Sequence, residues 1–213
     1  MALPQPYKIG WMSHPVLKSV HLSASRKVAA ISMFTALAVA TDYAMFPLAN
    51  IKLMDSIVFV SALTFGLEVG VSVGALTWLV YGEVNPLGPD GGLLLLILIG
   101  SETIYAVFGY AVRLTFDYDT IDVPTRSLLW GSLGLIGAFI YDVITIVTPT
   151  LISGTSLEAA VFSLGPAAPF MVAHEISDFV FFATAAPLLY AAIRKVVRRQ
   201  IGEVRPHPLD SKP

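Results

Sequence analysis

The segment "HEISD", residues 174–178, sets three ionisable side chains on two turns of an otherwise apolar stretch. His174 and Asp178 stand four apart, so on a helix they share a face. That spacing suits metal ligation, with Glu102 or Asp142 as further ligands. It also suits a His–Asp hydrogen bond that orders a pocket. The hydrogen bond, with no metal, is the expectation, because HExxH, a cysteine pair and a histidine cluster are all missing. Ser177 beside His174 is too slight a basis for a Ser/His/Asp hydrolase. Asp42, Glu102 and Asp142 lie in similar apolar runs. At mid-membrane each such charge costs on the order of 2.5–3.5 kcal/mol, so each needs a reason.

The runs that must position these groups fall at about 28–47, 53–82, 92–115, 127–150 and 168–194. Of the 213 residues 55% are hydrophobic and only 13% charged, against about 25% charged in soluble domains. Mean hydropathy is +0.74. This is the composition of a polytopic helical membrane protein, with no room for a separate soluble domain. The absence of cysteine excludes disulfides and thiolate metal sites.

Ten of the 13 basic residues lie towards the two termini. Lys8, Lys18, Arg26 and Lys27 are at one end; Arg194, Lys195, Arg198, Arg199, Arg205 and Lys212 are at the other. The positive-inside rule puts both ends in the cytoplasm, which demands an even number of crossings. The run 53–82 is too long for one span. Splitting it at "FGLEVG", into about 53–66 and 68–83, gives six transmembrane helices. Residues 1–27 become a cytoplasmic lead with a short interfacial helix around Trp11 to Leu22, 28–197 the membrane domain, and 198–213 a basic cytoplasmic tail. Segments 82–92 and 148–160, free of lysine and arginine, become external loops, the first a candidate lid.

Six spans give each charge a depth. Asp42 lies roughly 8 Å below the outer end of its helix, Asp142 roughly 12 Å and Glu102 roughly 15 Å. His174, Glu175 and Asp178 lie roughly 9 to 15 Å down. Antiparallel helices thus bring their charges to one level, where Trp78, Tyr81, Tyr105 and Tyr141 also fall. Aromatic walls with a few polar groups describe a small-molecule pocket, although tryptophan and tyrosine also favour membrane interfaces for their own sake. Glu83, just past Trp78 and Tyr81, completes the candidate substrate-binding set.

A different pattern marks the first helix. Ser32, Ala36, Ala40 and Ala44 repeat every fourth position, a stripe that lets another helix approach closely, whether a partner's or one of its own bundle. Asp42 lies about 200° around the helix from Ala40, so it points away from the stripe.

With "ALAVA" (36–40), "LMDSIVFVSALTFG" (53–66), the run Gly66, Gly70, Gly74 and the acidic, proline-containing turn after it, the chain resembles the substrate-binding S component of an energy-coupling factor (ECF) transporter. The similarity covers about residues 26–197. Such proteins bind a vitamin or related micronutrient at their external end. They work with a membrane coupling (T) subunit and two cytoplasmic ATPases, hydrolyse nothing themselves, and topple in the membrane to release the cargo. The resemblance implies that the AxxxA pair Ala36 and Ala40 contacts the coupling subunit. The lead of some 25 residues is long for a solitary S component.

At the pocket level stand Glu83, Asp90, Glu102, Asp142, Glu175 and Asp178, one histidine and no arginine, with Lys52 the sole nearby base. Anion recognition recruits arginine or lysine, so a neutral or cationic aromatic heterocycle is the better substrate class. Thiamine, its pyrimidine precursor or a deazapurine would suit. No cofactor and no nucleic acid is expected. The alternative function is a self-sufficient small-molecule or ion-coupled secondary transporter using the same carboxylates as a relay. A third, a membrane enzyme acting on lipid, lacks a polar constellation at the cytoplasmic interface.

Overall fold

A computed structural model describes residues 23–116 and 121–202, the last five by backbone alone. The described residues form seven helices and no strand. They are α1 (Ala24–Met45), α2 (Met54–Phe65), α3 (Leu67–Val84), α4 (Gly92–Thr115), α5 (Val123–Ile152), α6 (Leu157–Phe162) and α7 (Leu164–Gly202). Five of them, α1, α3, α4, α5 and α7, are long and apolar enough to cross a bilayer. Large apolar side chains such as Leu96, Phe139, Ile176 and Leu188 face outward while Asp42, Asp55, Glu102, Asp142 and Asp178 are buried. That inversion of the soluble pattern marks a multi-pass helical membrane protein.

The run 53–82 divides as its length requires. Gly66 adopts φ +103°, a conformation that L side chains rarely take, and the chain reverses there between α2 and α3. Glu68 then falls in the first turn of α3, exposed, its carboxylate 2.6 Å from Lys27 Nζ. Its charge opposes the positive end of the helix dipole there. With 12 residues α2 is about 18 Å long. Met54 to Leu63 are buried without exception, enclosed by α1, α3, α4 and α7.

Contacts fix the direction of each helix. The Lys27–Glu68 pair joins the starts of α1 and α3, and the Tyr43 hydroxyl donates to Val84 O where both end. Arg113, near the end of α4, donates to Thr64 O near the end of α2. Arg126 at the start of α5 and Tyr190 late in α7 meet at that same end, around a small crevice that also touches Arg113. α1, α2, α3, α4, α5 and α7 therefore alternate in direction. Arg26, Lys27, Arg113 and Arg126 gather at one end of the bundle and Lys52 stands at the other.

Two segments differ from the sequence reading. Residues 148–160, expected as a loop, are largely helical: α5 continues through Pro149 to Ile152, and α6 follows after a turn at Gly154. Ser156 caps α6 by accepting from the Ala159 amide. The boundary drawn at residue 27 falls inside α1, since the helix starts at Ala24. The boundary drawn between 197 and 198 likewise falls inside α7, which runs to Gly202. The interfacial helix expected around Trp11 to Leu22 and the part of the tail beyond 202 lie outside the described residues.

Candidate functional site

At the end of the bundle away from the basic cluster lies a cavity of about 490 Å³. Its walls come from the end of α1 (Asp42, Met45), the loop 46–52, the α3 face carrying Trp78 and Tyr81, and the 85–90 turn. Tyr141 and Asp142 of α5 and Phe170 and Met171 of α7 complete it. Both loops are held in place. Asn50, at φ +57°, donates from Nδ2 to Phe170 O at 3.1 Å, which ties the α1–α2 loop to α7. Asn85 Oδ1 accepts from the Leu87 amide, and the Asp90 amide donates to Gly82 O at 2.9 Å.

Aromatic rings make the inner wall. Trp78 stacks near-parallel to Tyr141, with centroids 6.4 Å apart, and meets Tyr81 edge-on. Lys52 Nζ stands 4.0 Å above the Trp78 ring and 5.6 Å from Tyr81, a cation–π contact. Behind the wall the indole Nε1 donates to Glu102 Oε2 at 3.1 Å. Glu102 fits there because position 74 is glycine; a Cβ would meet its Cγ at 2.7 Å. Asp42 lines the cavity with both carboxylate oxygens buried and without a hydrogen-bond partner. At the rim, burial pushes the Asp90 carboxyl above its usual range, with Lys52 pulling it back and Glu83 pushing it further.

Below the floor lies a second polar layer. His174 Nδ1 is 3.0 Å from Asp142 Oδ1, and Nε2 is 3.0 Å from Asp55 Oδ2. Asp178 Oδ2 is 3.8 Å from Nε2, too far for a hydrogen bond, although the residues stand four apart on α7. The His174–Asp178 bond expected from spacing is thus replaced by bonds to α5 and α2, whose carboxylates come closer. The Tyr105 hydroxyl approaches Asp178 outside hydrogen-bond geometry. Beneath this layer the core turns aromatic: Phe59 packs on Phe182 and Trp130, at 5.0 and 5.3 Å.

Of the residues singled out from sequence, Asp42, Trp78, Tyr81, Tyr141 and Asp142 line the cavity. Glu102, Tyr105, His174 and Asp178 are buried behind or beneath it. Glu83 is exposed and Glu175 half-buried, and neither lines it. Ser32, Ala36, Ala40 and Ala44 are all exposed, whereas Ala30, Phe34, Ala38 and Asp42 form the buried face of α1. Among the described residues nothing packs over the small-residue stripe.

Asp55 was not among the sequence candidates. One acid at the start of a short apolar helix reads as a solvated helix end, and only its burial shows otherwise. Lys52 stood out in the sequence only as the sole base near the pocket level, and Asn50 and Asn85 carried no signal beyond their place in loops. The letters of Gly70-Val71-Ser72-Val73-Gly74 fit GxSxG, but they lie inside α3 with no strand before them, so they form no nucleophile elbow. The chain matches no protein-family model, and no curated protein or solved structure matches it.

Proposed function

We propose that this chain is a substrate-capture (S) component of an ECF-type importer. In this reading it crosses the cell membrane six times with both termini in the cytoplasm. It binds a vitamin-like molecule outside and delivers it through a coupling (T) subunit and two ATPases, without chemistry of its own. The observation that carries the reading is the aromatic-walled cavity at the end of the bundle opposite the basic residues. By the positive-inside rule that end is external, and its volume suits a small molecule. The reversals on either side of α2 support counting it as a crossing despite its length.

The exposed small-residue face of α1 supplies a surface for the coupling subunit, turned away from the cavity. Replacing Ala36 or Ala40 with tryptophan is therefore expected to abolish assembly with that subunit and leave substrate affinity unchanged. Co-purification read beside a binding titration checks this. Loss of binding together with assembly would count against the assignment.

Lys52 resting on the Trp78 face favours a neutral heterocycle over a cationic one, since a cation would meet Lys52 at the stacking position. Asp42, with two unpartnered oxygens, is the natural acceptor for ligand N–H groups. Mass spectrometry of small molecules that co-purify identifies the ligand. Trp78→Ala is then expected to weaken its binding at least about tenfold, as loss of a buried aromatic contact does, and unchanged affinity would remove the cavity from consideration.

The buried run of Asp55, His174 and Asp142 also favours a second reading, a proton- or ion-coupled carrier. Liposomes holding the purified chain alone separate the two. The capture reading expects binding without uptake, and uptake driven by an ion gradient would support the carrier.

A further inference from the structure

The layer beneath the cavity floor points to a binding site of its own, and the inference stands apart from the substrate-capture reading. We propose that His174, Asp55 and Asp178 bind a divalent transition-metal ion of the Zn²⁺ class, with Asp142 as the outer partner of the histidine. One ligand atom from each of the three residues lies within 4.8 Å of the other two. Tetrahedral bonds of about 2.0–2.2 Å to nitrogen and oxygen put neighbouring ligands about 3.3–3.6 Å apart. The observed separations from Nε2 are 3.0 Å to Asp55 and 3.8 Å to Asp178, each within a few tenths of an ångström of that range, and the two carboxylates lie within 4.8 Å of each other.

Two further observations point to a ligand. Asp178 is 0% exposed, and its oxygens meet no donor in hydrogen-bond geometry: the Tyr105 hydroxyl approaches without satisfying it, and Oδ2 faces His174 Nε2. A carboxylate sealed in a bundle core without a partner is costly, and a cation at Nε2 supplies one. The second is the arrangement around Nδ1. Nδ1 is 3.0 Å from Asp142 and Nε2 is 3.0 Å from Asp55; with the proton on Nδ1, shared with Asp142, the Nε2 lone pair is turned to Asp55 and Asp178. Carboxylate–histidine–metal relays have this form.

Charge runs the same way. Among the described residues the ionic partner of Asp55, Asp142 and Asp178 is His174 alone. One imidazolium cannot balance three carboxylates, whereas a divalent ion removes most of the excess with His174 neutral. An imidazole and two carboxylates without sulfur make a donor set suited to Zn²⁺, with one position open. Bound there, the ion would clamp α2 to α7 and, through Asp142, fix the cavity floor.

The test uses the full chain in detergent, stripped with a chelator and then supplied with Zn²⁺ alone. One zinc per chain is expected after gel filtration. X-ray absorption should show one imidazole nitrogen and oxygen neighbours. Asp178→Asn is expected to lower the affinity at least tenfold and Asp142→Asn by 10- to 100-fold. Glu158→Gln, on exposed α6, should match the wild type. Zinc should raise the melting temperature of the wild type and not that of Asp178→Asn. Stripped wild type that takes up no stoichiometric zinc would overturn the proposal and leave protons as the balancing charge. So would Asp178→Asn binding zinc as tightly as the wild type. If Asp178→Asn does not fold, the wild-type absorption spectrum decides: surface ligation without the histidine core rejects the site.

Discussion

His174→Ala is expected to melt about 6–20 °C below the wild type. The imidazole lies between Asp142 and Asp55 at 3.0 Å from each. All three are buried, with Asp142 the most exposed of them at 4%. Alanine deletes both hydrogen bonds and leaves a void with two carboxylates facing across it. Breaking a buried ion pair by removing one partner costs about 3–5 kcal/mol, and for a chain of this size 1 kcal/mol moves the melting point by about 2–4 °C. Such a loss is a large part of the roughly 5–15 kcal/mol that holds a protein folded. His174→Gln, which keeps one donor, should fall between the two. The check is a thermal melt in detergent for the three proteins side by side. An alanine variant within about 2 °C of wild type would mean that the layer is hydrated and contributes little.

The second large effect is steric. Gly109 on α4 lies against the backbone of α2, where an added Cβ would stand 2.1 Å from Phe59 O and 2.9 Å from Phe59 C. The obstacle is a helical carbonyl, which cannot rotate away as a side chain can. In a membrane the close approach of backbones is itself a source of packing energy. Gly109→Ala should therefore push α4 off α2 and cost about 1–3 kcal/mol or more, with Gly109→Leu failing to give a monodisperse protein. Gly100 is on the same helix with nothing within 4 Å of its Cβ position. Gly100→Ala should be neutral or slightly stabilising, because alanine favours the helix. A Gly109→Ala protein as stable as Gly100→Ala would show that the α2–α4 contact tolerates expansion.

Both effects depend on α2, and that helix shows how far the sequence could be read. Hydropathy located the long helices to within a few residues, apart from the end of α7, which runs eight residues past its apolar run, because a bilayer demands long apolar runs and leaves little choice about where they fall. The clustering of lysine and arginine at both ends called for an even number of crossings, from which the reversal at Gly66 was expected. Glu68, puzzling in the middle of a 30-residue run, becomes ordinary once it opens α3 and meets Lys27. Helical geometry also separated the α1 stripe from Asp42: the two lie on opposite faces, one exposed and one buried.

What the sequence determined by itself was the run of helices other than α6, and which of those apolar runs carry a charge. Both follow from local periodicity and from the cost of placing polar groups in lipid. The tertiary structure decided which charges meet. Asp178 shares a face with His174 yet stands off at 3.8 Å, while Asp55, 119 positions away in the chain, takes the ring nitrogen at 3.0 Å. Spacing along one helix fixes only neighbours on that helix; a partner on another depends on axial register and rotation between rods. The packing of α2 among four neighbours set that register, through contacts that no single segment encodes.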